Sequence, residues 1–359
     1  MSYQPPPDLP TEFGLVLAAC RWAYAGDSGE AVARLTAGAD WARLVTTSQR
    51  HRVQGLVWHA LSALKTDVPA AVEIALSSDA RAIAERGLRT APECRQLFAA
   101  FDDAHVPLLF LKGLTLAKLA YDRPFTKMSA DVDVLVLPED LARSAGLLRG
   151  LGYRLQIPKT DSQLLRWHGL SKESVWLGDN GLVLELHHRV ADQPQLLPAL
   201  TATSPHQLVE IAPGIELPTF GHAELFAYLC VHGASSAWFR LKWMTDFAAL
   251  LHDRKPSEIE TFYHRSQELG AGRAADQALL LAERLYALPL PDGLSKGLRR
   301  SPVSRWLAKA ALADMLRGEP TERPFGTRTI HLTQFFLLPG AGYKFAELAR
   351  QARVAAGLY

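Results

Sequence analysis

The chain has 359 residues, 48% hydrophobic and 21% charged, the proportions of a globular protein with a sizeable core rather than a disordered one. Its 39 basic residues nearly balance 37 acidic ones, so overall charge does not suggest a nucleic-acid binder. Three widely separated cysteines (Cys20, Cys94, Cys230) with no CxxC pair argue against a disulfide framework or a zinc site, and fit a reduced compartment.

The start, MSYQPPPDLPTEF, carries neither a basic segment nor an apolar signal core, and no long apolar run follows; a cytoplasmic protein without a membrane span is expected. Residues 1 to about 10 are Pro-rich and read as a disordered arm. From Thr11 to about His105 the pattern is helical. It includes Val53, Leu56, Val57, Ala60 and Leu61 at helical spacing, then a long Ala-rich helix from about Pro69 to Asp103 that Pro92 divides or kinks. An apolar strand (108–111), a Lys112-Gly113 turn, a short helix, a polar loop and a second strand through Leu137 follow. A helix runs from Pro138 to about Leu151, then a short strand at 152–157. The segment SVWLGDNGLVLELHHRV (174–190) reads as a hairpin around Gly178-Asp179-Asn180-Gly181. Residues 191–219 read as an irregular connection. Helices are expected at 221–254, 256–270, 274–287, 302–317 and 343–356, with an ordered loop over 319–341.

Asp131 and Asp133 sit inside the apolar strand, two residues apart and so on one face. Paired carboxylates repel and resist burial unless a cation joins them; oxygen ligands suit a hard ion such as Mg²⁺. The same repulsion predicts that replacing either by Ala leaves stability unchanged or improved. Glu185 is a third carboxylate in an apolar strand, sharing a face with His187. The Lys112-Gly113 turn and the helix start after it offer backbone N–H groups and an ammonium to a triphosphate. Thr115 and Ser129 are placed to bind phosphate or to cap. Lys242 and Asp246, four apart on a helix, read as an ion pair. P-loop, GxGxxG and GxSxG motifs are absent, and His168-Gly169 and His232-Gly233 lack an identifiable nucleophile.

The order LLFLKG, aliphatic helix, SADVDVLV and LELHHR resembles the nucleotidyltransferase superfamily of DNA polymerase β-type fold, and more narrowly a bacterial group of uncharacterised nucleotidyltransferase family proteins. HGASSAWFRLKWMTDFAALL (232–251) belongs to the same likeness. The resemblance implies Gly113 for the turn, Asp131 and Asp133 as metal ligands, and Glu185 as a catalytic third carboxylate that binds a second metal or takes the acceptor proton. It implies Lys242 as a phosphate contact oriented by Asp246. Leu114 follows Gly113 where the superfamily has Gly or Ser, and Lys127 stands where the narrower group has Arg.

The expected fold is α+β: a small mixed sheet of nucleotidyltransferase type in residues 105–195, flanked by helical regions 1–104 and 196–359. The expected activity is transfer of a nucleoside monophosphate from an NTP, ATP foremost, with Mg²⁺ or Mn²⁺, to an acceptor such as a small molecule, peptide or protein. A nucleic-acid acceptor is not favoured. Phosphoryl transfer and a non-catalytic binding module on the same fold stay open at this point.

Overall fold

The computed structural model describes residues 3–317 and 326–356. Five helices come first: α1 (Thr11–Ala25), α2 (Glu30–Thr36), α3 (Trp41–Arg50), α4 (Gln54–Ala63) and α5 (Ala70–Asp103). Local chemistry sets their ends. Gly26 closes α1 in the left-handed region, and the Asp40 carboxylate caps α3 by accepting from Arg43 N–H at 3.0 Å. Residues 3–10 are not a free arm, contrary to expectation: Tyr3 is buried, its hydroxyl donates to Leu285 O, and the Arg21 guanidinium lies 4.7 Å from its ring centre. Residues 1 and 2 lie outside the described residues. Helix α5 is continuous through Pro92 rather than two pieces. Proline removes the hydrogen bond to Leu88 O, and both residues lie on the exposed side, where water can satisfy that carbonyl.

The central section comprises β1 (Leu109–Phe110), α6 (Leu114–Tyr121), β2 (Asp131–Leu135), α7 (Leu141–Gly150), β3 (Arg154–Ile157), α8 (Leu164–His168), β4 (Glu173–Leu177) and β5 (Val183–His187). Their sheet has the order β1-β2-β5-β4-β3, with β2 and β5 parallel and the other pairs antiparallel. The expected hairpin is β4–β5, turning at Gly178–Gly181. The region read as irregular holds a further hairpin, β6 (His206–Ala212) and β7 (Ile215–Phe220). Thr219 Oγ1 donates to Phe110 O at 2.6 Å and ties that hairpin to β1.

Helices α9 (His222–Ser235), α10 (Leu241–Leu251), α11 (Pro256–Glu268), α12 (Arg273–Tyr286), α13 (Asp292–Arg300), α14 (Pro302–Leu316), α15 (Arg328–Gln334) and α16 (Ala341–Ala355) complete the described chain. The helix expected over 221–254 is broken at 236–240, because the buried Trp238 indole lies against Gly233, where a Cβ would come within 2.4 Å of the ring. The loop expected at 319–341 includes α15; its residues 319–325 lie outside the described residues, as do 357–359 of the final amphipathic segment. Among the described residues, no helix is long and apolar enough to cross a membrane.

Two apolar clusters organise these elements. Val132, Val134, Leu184 and Leu186 turn one sheet face toward Leu97 and Phe101 of α5 and Leu148 of α7. A larger cluster joins the amino-terminal helices (Leu15, Val57) to the carboxy-terminal ones (Phe226, Phe247, Leu279), so both flanking regions share one core. Strand alternation then leaves Asp131, Asp133, Glu185 and His187 on the other face of β2 and β5.

Candidate active site

Gly113 ends the turn after β1 with φ 77° and ψ −127°, a conformation essentially confined to glycine, and starts α6. Thr115 Oγ1 donates back to Lys112 O at 3.3 Å, and Ser129 Oγ donates to Asp131 O at 3.0 Å. Both hydroxyls therefore brace the turn and the start of β2. A narrow crevice beside the turn is lined by Thr90, Lys112, Gly113, Thr115, Ser129 and Asp131, and continues past Arg86 and Lys127.

Parallel pairing sets Asp133 opposite Glu185, and Leu135 opposite His187. Antiparallel pairing brings Glu173 of β4 opposite His187. His187 Nε2 thus lies 3.3 Å from Asp133 Oδ1, 3.3 Å from Glu173 Oε2 and 3.5 Å from Glu185 Oε2. Lys112 Nζ is 2.6 Å from Asp133 Oδ1 and 3.8 Å from Asp131 Oδ1. Lys172 pairs with Glu173. The fold brings Asp131, Asp133, Glu185, Lys112 and Gly113, all singled out in the sequence, together with Glu173 and Lys172, which the sequence reading passed over. The hairpin register held the missing signal: counting outward from its turn places Glu173 across from His187.

These groups set one another's protonation. Burial opposes charge on Lys112, but Asp133 and Asp131 outweigh it and hold the ammonium well above the usual lysine range. Burial likewise opposes the Asp133 carboxylate, yet Lys112 and the His187 hydrogen bond hold it well below its usual value. For Glu185, burial and the neighbouring Asp133 and Glu173 charges raise the pKa. His187 is raised because Glu173, with hydrogen bonds to Asp133 and Glu185, overcomes burial. Lys112 also alters the expectation that removing Asp133 would leave stability unchanged: the carboxylate is already neutralised, and its loss would strand a buried ammonium.

A second set of groups stands beside the first. Lys127 Nζ is 3.2 Å from Asp246 Oδ2, and Tyr121 OH donates to Asp246 Oδ1 at 2.9 Å. Asp246 therefore pairs with Lys127 rather than with Lys242, as the sequence suggested. Lys242 is drawn down to about 8 by burial and by the positive charges of Lys127 and Lys112. Its backbone N–H donates to His51 O at 3.3 Å, and His51 Nδ1 accepts from Leu241 N–H at 3.0 Å, so a buried histidine fixes the start of α10. On α9, Tyr228 and His232 lie against the cluster; burial with Lys112 and Lys172 keeps His232 neutral. His168 and His188 touch at 2.9 Å and are held neutral by burial and by each other or Arg189, bracing α8 against the end of β5.

The donor set fits a divalent ion. Asp133, Glu185 and His187 can each offer a ligand atom within 4.8 Å of the others, and Asp133 Oδ2 is buried with no hydrogen-bond partner.

A family model described as "Uncharacterised nucleotidyltransferase" matches residues 37–287, and the chain belongs to that family. No curated protein matches it. The chain is accordingly a transferase of phosphorus-containing groups, and its small mixed sheet with helical flanks is of nucleotidyltransferase type.

Proposed function

We propose that this chain transfers a nucleoside monophosphate from an NTP, ATP foremost, to an acceptor hydroxyl or phosphate with release of pyrophosphate. The observation that carries this reading is the opposition of Asp133 and Glu185 across the parallel β2–β5 pair, beside the Gly113 turn. Residues 105–195 form the catalytic unit, with helical regions 1–104 and 196–359 around it, acting in the cytoplasm.

Asp133 and Glu185 would hold the divalent ion, Mg²⁺ or Mn²⁺, with His187 as a further donor and Asp131 beside them on the same strand face. When bound, the ion neutralises charge on the reacting phosphates. Backbone N–H groups of Gly113, Leu114 and Thr115 at the start of α6 receive phosphate oxygens. Lys242 faces the leaving pyrophosphate, supported by Lys127 and Ser129 at the crevice wall. The acceptor oxygen forms a bond to the α-phosphorus as the bond from that phosphorus to the bridging oxygen breaks. Its electron pair leaves with pyrophosphate, and the acceptor proton passes to Glu185.

The experiment is label transfer from NTPs carrying ³²P at the α or the γ position, with Mg²⁺ or Mn²⁺ and a lysate as acceptor pool. Label from the α position, strongly reduced in Asp131→Asn, supports nucleotidyl transfer and tags the acceptor. Label from γ alone overturns it in favour of phosphoryl transfer. Nucleotide binding without any transfer supports a non-catalytic module.

A further inference from the structure

The cation positions of the cluster are not equivalent. Between Asp131 and Asp133 a cation is already present: Lys112 Nζ lies 2.6 Å from one carboxylate and 3.8 Å from the other, on a side chain that is 16% exposed. On the β5 side the arrangement is incomplete. Asp133, Glu185 and His187 converge there, while Asp133 Oδ2 and His187 Nδ1 are buried without partners. A buried carboxylate oxygen without a donor is costly, and its presence points to a missing ligand.

Charge leads the same way. Asp131, Asp133, Glu173 and Glu185 are four carboxylates facing two ammonium groups, Lys112 and Lys172. A bound ion takes the place of the His187 proton, and against the neutral imidazole the excess is two negative charges, which one divalent ion balances. Lys127 lies beyond this set, paired with Asp246 and lining the crevice where phosphates would sit.

We propose that one divalent ion, held by Asp133, Glu185 and the imidazole of His187, serves this site, that Lys112 is the resident cation of the Asp131–Asp133 pair, and that the nitrogen ligand makes the site select Mn²⁺ over Mg²⁺. The inference rests on the preceding reading only in taking the cluster to be a metal site. Mg²⁺ demands near-ideal octahedral oxygen coordination and gives up water reluctantly. Imidazole is a ligand for transition-metal ions, while carboxylate oxygens suit Mn²⁺ as they suit Mg²⁺, so the nitrogen donor is what separates the two.

The test uses Mn²⁺ alone, without nucleotide. Loss of the free Mn²⁺ signal in electron paramagnetic resonance counts bound ions, and pulsed measurements detect an imidazole nitrogen coupled to the metal. One ion per chain with that coupling is expected. His187→Gln should abolish the coupling and weaken Mn²⁺ binding more than about tenfold, since even ligand-supporting contacts have effects of that size. Asp131→Asn should still bind one ion, and Mg²⁺ should displace Mn²⁺ only in large excess. Two ions per chain, no nitrogen coupling, loss of binding in Asp131→Asn, or equal competition by Mg²⁺ each overturns the proposal. If His187→Gln does not fold by circular dichroism, the wild-type coupling, the Asp131→Asn stoichiometry and the Mg²⁺ competition decide. Mn²⁺ bound in this way without label transfer would sink the nucleotidyl reading and leave this inference standing; transfer without nitrogen coupling would do the reverse.

Discussion

Lys127 and Asp246 form a buried ion pair, 3.2 Å apart, that joins the loop before β2 to α10; the two side chains are 7% and 4% exposed. Removing one partner of such a pair leaves an unpaired buried charge. Asp246→Leu should lower the unfolding free energy by about 3–5 kcal/mol, measured by denaturant titration. The double variant Lys127→Met/Asp246→Leu should recover most of that loss. A double variant as unstable as the single would show that packing, not the stranded charge, sets the effect.

Asp131 and Asp133 separate on stability. Asp131 is partly exposed and only 3.8 Å from Lys112 Nζ, whereas Asp133 is fully buried at 2.6 Å. Asp131→Asn should reduce label transfer by about 10²–10³-fold, the usual effect of losing one preorganised electrostatic contact, with melting temperature nearly unchanged. Asp133→Asn should lose activity and also melt lower, because Lys112 and His187 lose their common partner. Equal melting temperatures would show that Lys112 readily finds another partner.

Much of this was legible in the sequence because it depends on short-range geometry. Two-residue alternation places Asp131 with Asp133 and Glu185 with His187, and Gly178–Gly181 announces a hairpin whichever way the rest of the chain folds. What could not be read was contact between distant segments. Nothing in α10 alone indicates that Asp246 turns toward Lys127, or that Trp238 packs on Gly233 and breaks the expected helix. The β6–β7 hairpin alternates Val209 and Ile211 inward, yet its Pro213-Gly214 turn and exposed Leu208 made it resemble a loop. Tyr3 was missed because its burial is supplied by α12, some 280 residues later.

Lys242, drawn down to about 8, makes the proposed phosphate contact dependent on pH. Between about pH 8 and its ordinary 10.5 the unfolded chain carries this proton and the folded one does not, so stability gains from this group as pH rises through that window. Binding should run the other way if Lys242 meets the phosphates, because its ammonium is lost above about pH 8. The ratio of wild-type to Lys242→Met affinity for an NTP should fall from pH 7 to pH 9, and Lys242→Arg should abolish that fall. A ratio independent of pH would remove Lys242 from the phosphate site.

His51 makes the fold acid-labile at one identifiable point. Burial, with Arg50 and Arg240 nearby, lowers its pKa to about 3 from 6.5. Between those values the unfolded chain binds a proton that the folded chain refuses, so stability falls as pH drops from 6.5 toward 3 and is unaffected above 6.5. The Asn side chain can still accept Leu241 N–H but does not titrate. The stability advantage of wild type over His51→Asn should therefore shrink by about 2–3 kcal/mol between pH 7 and pH 4.5, followed by urea unfolding. A constant difference would mean that His51 is protonated within the fold.

Gly113 tests whether the turn before α6 is a phosphate cradle or merely a connector. Its φ of 77° with ψ −127° is strained for any residue bearing a Cβ, although the nearest atom such a group would meet, Ser129 Oγ, is 3.4 Å away. Conformation rather than collision therefore sets the consequence, and Gly113→Ala should destabilise the fold by about 1–3 kcal/mol. To relieve the strain the peptide must rotate, which turns the N–H groups at the helix start away from the crevice. NTP affinity should then fall while Mn²⁺ binding at Asp133, Glu185 and His187 persists. Calorimetric titration of each ligand separates the two effects. Unchanged nucleotide affinity in a measurably destabilised variant would show that the phosphates are held by the lysines and not by this turn.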